Sequence, residues 1–150
     1  MDQRKMKELI EQYANVYLFA TKKLETLISE KVIPMSIEQF GMLRVLYLEG
    51  EQTLKEIAEK CGVHKSAITQ KAVRLEEKGL IIRKDHPHDR RSAYLSLTEE
   101  GCKVFLNSEE AIVVFISCFF EQLEPNEVAV FLNVYEKINN MIREKEEIDK

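Results

Sequence analysis

The chain has 150 residues, of which 45% are hydrophobic and 32% are charged, a composition that indicates one globular domain and excludes a disordered chain. The longest apolar run, residues 111–120, has half of the ~20 residues that a membrane span needs. We therefore expect no membrane span, and we also expect no signal peptide. Three widely spaced cysteines without a CxxC pair exclude a disulfide framework and favour the reducing cytoplasm.

The net charge of −4 is distributed unevenly along the chain. Residues 54–91 contain ten Lys or Arg and six Asp or Glu, whereas residues 92–150 contain five and twelve, respectively. A basic central segment between acidic segments is typical of a protein with one surface that binds a polyanion. Chance clustering explains the same charges equally well, so charge alone leaves both interpretations open.

Apolar residues recur at three- and four-residue steps at the start of the chain and predict one long amphipathic helix over about residues 3–30. A second helix is predicted over residues 37–48. Ser36 and Gln39 have the spacing of a capping box, in which each side chain binds a free N–H at the start of that helix. Gly50 ends it.

Two short helices come next. Thr53 and Glu56 repeat the capping-box spacing and open a helix over residues 54–60, which Gly62 ends. A third short helix is predicted over residues 65–78. Two short helices that are joined by a glycine-containing turn are the signature of a helix-turn-helix.

The hydrophobic period changes after Gly79. Residues 80–85 and 92–97 each predict a short strand, and the six polar residues between them predict a turn. A hairpin in this position, directly after a helix-turn-helix, is a wing.

Two longer helices complete the chain. Thr98 is a favourable cap for the first of them, and Pro125 starts the second. The predicted fold is therefore mainly α with a small β-hairpin wing. We divide it into a winged helix-turn-helix DNA-binding domain, residues 36–97, and a helical dimerisation region, residues 1–35 and 98–150.

The dimerisation region is predicted from its apolar surface. Residues 111–120 are apolar on every side of their helix, so a single protomer cannot bury them all. The first and last predicted helices also carry long apolar stripes. We expect all three helices to pack against their copies in a two-fold homodimer with a large apolar interface.

One face of the third short helix carries side chains that can bind DNA. Ile68, Ala72 and Leu75 share the other face and predict core contacts. Hydroxyl and amide groups pair with base edges, and a guanidinium pairs with guanine or phosphate. A solvated helix face has a similar composition, so this pattern alone leaves both interpretations open. The candidate DNA-binding residues of this helix are Lys65, Ser66, Thr69, Gln70 and Arg74.

Asp89, Arg90 and Arg91 lie at the predicted wing tip, where they have no packing role. A guanidinium on a narrow projection suits the minor groove, where negative potential concentrates. Asp89 can hold one of the arginines in a fixed orientation through a charge-assisted pair. The alternative is a solvated turn with a surface ion pair.

Residues 53–101 resemble the winged helix-turn-helix of the MarR (multiple antibiotic resistance regulator) family. The matching text is TLKEIAEKCGVHKSAITQKAVRLEEKGLIIRKDHPHDRRSAYLSLTEEG, in which LEEKGLI and the run from DRR to LSLT are the most distinctive parts. Flanking helices of the right length extend the resemblance over nearly the whole chain.

The resemblance implies a homodimer that binds a near-palindromic double-stranded DNA operator, usually as a repressor. It places the helix of residues 65–78 in the major groove, and it places Arg91, two residues after Asp89, in the minor groove. It also implies a small aromatic or phenolic effector where the dimer helices meet the winged domain. The candidate effector contacts are Tyr13, Tyr17 and Phe40. For each of them taken singly, plain core packing is the more common role.

Two departures limit what the resemblance implies. His64 stands where relatives usually have a small capping residue, and imidazole is a poorer cap than Ser or Asp. The peroxide-sensing branch of the family has a reactive cysteine near the start of its first helix, whereas residues 1–60 contain no cysteine.

No spacing in the sequence indicates an enzyme, a cofactor or a metal site. A Ser-His-Asp arrangement, paired carboxylates and a glycine-rich phosphate loop are all missing. His86 and His88 lie on a turn that cannot easily close a ligand set. Cys118, in an apolar run, predicts a core residue, whereas Cys61 and Cys102 are either unreactive or redox-active thiols.

We therefore predict a cytoplasmic transcriptional regulator that binds DNA. The rival hypothesis is a winged-helix module that binds another protein through the same surface. Aromatic residues at the wing tip would favour the rival, and the predicted tip has cations instead.

Overall fold

The computed structural model describes residues 1–85, 88 and 92–150. Along these residues, six helices and three strands follow one another: α1 Gln3–Lys31, α2 Ile37–Glu49, β1 Gln52–Thr53, α3 Leu54–Cys61, α4 Lys65–Glu77, β2 Ile81–Asp85, β3 Ala93–Leu97, α5 Glu99–Phe120 and α6 Pro125–Ile148. This order confirms the predicted fold class, mainly helical with a small antiparallel sheet. None of the helices in the described part of the chain is long and apolar enough to cross a membrane.

The two predicted capping boxes are present. At the start of α2, Ser36 Oγ accepts a hydrogen bond from the Gln39 N–H at 3.1 Å, and Gln39 Oε1 accepts one from the Ser36 N–H at 3.0 Å. At the start of α3, Thr53 and Glu56 exchange the equivalent pair at 3.2 Å each. These bonds satisfy backbone donors that a helix start would otherwise leave unpaired, so they fix where α2 and α3 begin.

The chain divides into two compact units, Met1–Ile112 and Val113–Lys150. The core of the first unit lies where α2, α3 and α4 meet the sheet. Nearly all of its buried side chains are apolar, so burial of apolar surface is the main force that holds the short helices together. The largest of them are Ile28, Met42, Leu43, Ile57, Ile68, Leu75, Ile81, Leu95 and Phe105.

The hairpin that the sequence predicted forms part of a three-stranded antiparallel sheet. Strands β2 and β3 pair over five residues each, from Ile81 opposite Leu97 to Asp85 opposite Ala93. The third strand, β1, was not predicted. It has only two residues, which pair with β3, and two residues are too few to show an alternating pattern.

The start of α5 is held against the turn that follows α4. Thr98 Oγ1 accepts a hydrogen bond from the Gly101 N–H at 3.0 Å and donates one to the Gly79 carbonyl at 2.6 Å. The Thr98 N–H donates to the Leu80 carbonyl at 3.1 Å. A Cβ at Gly101 would overlap that Leu80 carbonyl oxygen and lie 3.2 Å from Leu97 Cδ2. Only glycine therefore allows α5 to begin this close to the turn.

The second unit contains the end of α5 and the whole of α6. No residue of α6 is buried, although aromatic rings pack within the unit: the centroids of Phe120 and Phe131 lie 5.8 Å apart. Cys118, which the sequence predicted to be a core residue, is exposed. The prediction was wrong because apolar side chains surround this helix and the chain alone does not cover that side. The Cys118 thiol donates to the Val114 carbonyl at 3.3 Å.

The two helical glycines Gly41 and Gly101 should respond to alanine in opposite directions. Gly101→Ala should lower the free energy of unfolding by ~1–3 kcal/mol, because the added methyl must displace backbone. Gly41 lies within α2, and an added methyl group there would have no other atom within 4 Å. Gly41→Ala should therefore raise the free energy of unfolding by up to ~1 kcal/mol through helix propensity. Urea unfolding of both variants measures the difference. Equal stability of Gly101→Ala and the wild type would contradict the close approach of α5.

Candidate nucleic-acid interface

Helix α4 has one buried face and one exposed face, as the sequence predicted. Ile68, Ala72 and Leu75 are at most 1% exposed and pack into the core. This packing fixes the rotation of α4 about its axis, so the opposite face must point to solvent. All five candidate DNA-binding residues of α4 lie exposed: Lys65, Ser66, Thr69, Gln70 and Arg74.

The start of α4 has no side-chain cap. His64 occupies the N-cap position and its imidazole makes no capping hydrogen bond, which agrees with the expectation that imidazole caps poorly. Gly62, in the left-handed conformation with φ 69°, makes the turn from α3. In this first turn the Ala67 N–H donates to the His64 carbonyl at 3.0 Å, whereas the N–H groups of Lys65 and Ser66 remain available for an anion such as phosphate.

The polar side chains of the exposed face differ in how many of their hydrogen-bonding groups remain available. The Thr69 hydroxyl donates to the Lys65 carbonyl at 2.8 Å, so Thr69 presents an acceptor oxygen and a methyl group. Within the described residues, Gln70 and Arg74 make no side-chain hydrogen bond or ion pair. Both ends of the Gln70 amide and all donors of Arg74 are therefore available to a ligand.

Several cations of the basic central segment already have acidic partners. These ion pairs are Lys60 with Glu49, Lys71 with Glu38 at 4.0 Å, Arg83 with Glu76 at 3.5 Å and Lys84 with Glu51 at 2.7 Å. In the part of the chain that the structure describes, Lys65 and Arg74 make no such pair. The charge of α4 that can meet a polyanion therefore lies mainly on Lys65 and Arg74.

The predicted wing-tip residues Asp89, Arg90 and Arg91 lie outside the described residues. The strands that lead to the tip are described: β2 ends at Asp85 and β3 begins at Ala93. The minor-groove role of the tip stays a prediction.

The three candidate effector contacts fall into two environments. Tyr13 and Tyr17 are exposed on α1, and their rings stack with centroids 6.3 Å apart. Phe40 is half-buried and stacks on Phe105 with centroids 5.5 Å apart, so it packs against the core. The ligand role of these three residues stays a prediction.

The cysteines and acidic residues of the described chain form no further site. Burial raises the pKa of the Cys61 thiol, so less of the reactive thiolate exists near neutral pH, which favours an unreactive thiol. Cys102 is half-buried. Among the described residues, no three His, Cys, Asp or Glu side chains are grouped so that they could hold a metal ion.

Sequence reasoning missed a second role of Gln39, which it assigned only to a cap. The Gln39 side chain is 6% exposed, and its Nε2 donates to the Lys71 carbonyl of α4 at 3.3 Å. No local pattern indicates this contact, because 32 residues separate the partners along the chain. A polar residue at a position that also faces the core was the one available signal.

The geometry of this winged helix agrees with the relatives of the chain. The sequence profile of the MarR family matches residues 35–93. The uncharacterized HTH-type transcriptional regulator YfiV of Bacillus subtilis (strain 168) is 32% identical over 118 residues, which cover 79% of this chain and 72% of that protein. The chain belongs to the MarR family. It is therefore a MarR-type transcriptional regulator, and its relatives are regulators rather than enzymes.

Two further relatives carry informative names. The HTH-type transcriptional repressor MdtR of Bacillus subtilis (strain 168) is 42% identical over 78 residues, which cover 52% of this chain and 48% of that protein. The structure of Sco3205, a MarR family transcriptional regulator from Streptomyces coelicolor in complex with DNA, has a TM-score of 0.77 and 19% identity, covering 93% of this chain and 88% of that chain. At 19% identity, the similarity to Sco3205 shows the fold alone.

We expect Arg74 and Lys60 to contribute differently to DNA binding. Arg74→Gln should weaken binding to duplex DNA and lower the salt slope by about one unit per protomer contact, because its guanidinium has no competing partner. Lys60→Gln is the matched control, since it removes the same charge from a residue that is already paired with Glu49. Titrations at several salt concentrations measure both slopes. Equal slopes for the two variants would contradict the assignment of the contact surface to α4.

Proposed function

We propose that this MarR-type regulator represses transcription by binding a near-palindromic operator as a homodimer, with α4 in the major groove. The observation that carries the proposal is the outward face of α4, where Gln70 and Arg74 are exposed and unpaired within the described residues. An α-helix fits the major groove, and amide and guanidinium groups there distinguish bases by bidentate contacts.

The DNA part of the proposal has two supports. Sco3205, which shares this fold, has been solved in complex with DNA. The uncapped start of α4, next to the exposed ammonium of Lys65, combines backbone donors with a positive charge. This combination suits a phosphate at the edge of the groove and would set the depth at which α4 enters.

The homodimer is supported by apolar side chains that the chain leaves exposed. On α1 these include Leu9, Ile10, Tyr13 and Val16, which border an open apolar recess of about 450 Å³. In the second unit, Val114 and Phe119 of α5 and much of α6 are more than half exposed. Soluble monomers rarely expose so many large apolar side chains on their helices, so these residues favour burial against a second copy.

Repression and effector control complete the proposal. The name of MdtR, a transcriptional repressor, supports repression rather than activation. A small phenolic effector would bind in the dimer beside Tyr13 and Tyr17, whose rings stack on α1 with centroids 6.3 Å apart. A phenolic compound that shifts both the Tm and the operator affinity would support this part, and a screen without one would remove it.

Selection of bound sequences from random duplex DNA gives the operator, and two variants then test the mode of readout. Gln70→Ala should change which bases are preferred while leaving the salt slope nearly intact, because an amide reads base edges without neutralising phosphate. Arg91→Ala should weaken binding to many sequences and lower the salt slope by about one unit per protomer contact, because it removes a minor-groove cation. Asp89→Ala should resemble a milder Arg91→Ala.

The outcome of this experiment separates the two hypotheses for the surface. If the wild type selects no sequence and Arg91→Ala binds DNA as the wild type does, the module that binds another protein becomes the better account.

The dimer should depend on the apolar side chains of the second unit. Phe119→Glu and Val114→Glu should each weaken self-association by at least about ten-fold, because a carboxylate would be buried without a partner. Leu48→Glu is the matched control, since Leu48 is 59% exposed, close to the 54% of Phe119, but lies on α2. Sedimentation equilibrium measures each dissociation constant. A folded wild-type monomer at micromolar concentration would contradict the dimer.

A further inference from the structure

Gln39 is the buried polar residue that links two helices of the first unit. Among the described residues, the buried polar side chains are Gln39, 6% exposed, and Ser108, 0% exposed. Ser108 donates within its own helix, to the Val104 carbonyl at 2.7 Å. Gln39 instead uses one end of its amide at the start of α2, with Oε1 on the Ser36 N–H at 3.0 Å, and the other end on α4, with Nε2 on the Lys71 carbonyl at 3.3 Å.

The contact with Lys71 lies next to the residue that is proposed to read bases. Lys71 directly follows Gln70 and precedes the buried Ala72. The neighbouring Glu38 carboxylate lies 4.0 Å from the Lys71 ammonium. The first turn of α2 therefore contacts both the backbone and the side chain of this one residue of α4.

A hydrogen bond supplies a constraint that apolar packing does not. Burial of Ile68, Ala72 and Leu75 holds α4 to the core, but the hydrophobic effect has no direction. A hydrogen bond weakens steeply when its distance or angle changes. The Gln39 amide therefore selects one axial position of α4 among those that would bury the same side chains.

The start of α2 is itself held by α1. Glu25 Oε1 accepts a hydrogen bond from the Ile37 N–H at 2.9 Å. Together with the capping box of Ser36 and Gln39, this bond gives the first turn of α2 a fixed position within the unit. Gln39 thus contacts Lys71 from a helix start whose position is fixed by hydrogen bonds of its own.

We propose that Gln39 is a positioning residue for DNA readout: its amide sets the axial position of α4 so that Thr69 and Gln70 meet base edges. This inference rests on the proposed function of α4. A bidentate contact to a base requires donor and acceptor distances within a few tenths of an ångström. Loss of the bridge should therefore reduce the discrimination between bases more than the affinity for phosphates.

Two substitutions separate the bridge from the cap. Gln39→Glu keeps the capping box, because a carboxylate oxygen accepts the Ser36 N–H as an amide oxygen does, but at pH 8 it has no donor for the Lys71 carbonyl. Ser36→Ala removes half of the cap and keeps the Gln39 amide on Lys71. Gln39→Met, with an uncharged chain of similar size, guards against misfolding of the Glu variant. It removes the bridge and half of the cap, so its comparison with Ser36→Ala, which removes half of the cap alone, isolates the bridge.

The test selects preferred sequences from random duplex DNA with the wild type and all three variants, well below each Tm. Gln39→Glu and Gln39→Met should lose about ten-fold in discrimination between the operator and its single-base variants at the positions that α4 contacts. Their affinity for non-specific DNA should stay within about two-fold of the wild type. Ser36→Ala should lower the Tm but keep the wild-type base preference.

Two results would overturn the role of Gln39 and leave the proposed function intact. One is an unchanged base preference in folded Gln39→Glu and Gln39→Met. The other is an equal loss of preference in Ser36→Ala, which would make the cap rather than the bridge responsible. A wild type that selects no sequence would instead overturn the proposed function, and this inference with it.

Discussion

Burial of one face of α4 determines both that this helix forms and which of its side chains face solvent. Ile68, Ala72 and Leu75 lie at most 1% exposed in a core that α2, α3 and the sheet share. A helix of 13 residues is marginal in isolation, so this tertiary contact is what keeps α4 helical. The same contact turns Gln70 and Arg74 to solvent. The packing that stabilises α4 therefore also exposes the face that is proposed to read DNA.

Polar contacts fix where the helices begin and how they are placed, which burial of apolar surface alone does not determine. The capping boxes fix where α2 and α3 begin, and the Gln39 amide connects the first of these starts to α4. On the other side of the unit, the missing side chain of Gly101 lets α5 begin against the Leu80 carbonyl. Each of these contacts acts at the end of a helix, where backbone donors or acceptors lack intrahelical partners.

Local signals in the sequence predicted the local features of the fold. The spacing of Ser36 with Gln39 predicted a cap that depends on residues three apart, and the positions of Ile68 and Leu75 predicted the buried face of α4. Contacts between distant segments were not predictable in this way. The two-residue strand β1 exists because β3 offers it a partner, and the Gln39–Lys71 bridge exists because the core brings α2 to α4.

In the candidate site, too, local features were predictable from the sequence and contacts between distant segments were not. The exposed side chains of α4 were predicted from helical periodicity, whereas the pairing of Lys71 with Glu38 and of Lys84 with Glu51 depends on tertiary contacts. Phe40 illustrates the limit of composition: an aromatic residue packs in a core more often than it binds a ligand, and the structure packs this one on Phe105.

Site-directed DNA cleavage shows whether the exposed face of α4 enters the major groove, as we propose. An iron chelate is attached at Ala67→Cys, an exposed position on the same face of α4, in a chain whose three native cysteines are replaced by alanine. The hydroxyl radicals generated there then cleave the selected operator. The account predicts two cleavage centres, one in each half-site and separated by about one helical turn of ~10 base pairs. A complex that forms normally but is cleaved evenly along the DNA, or not at all, would contradict it.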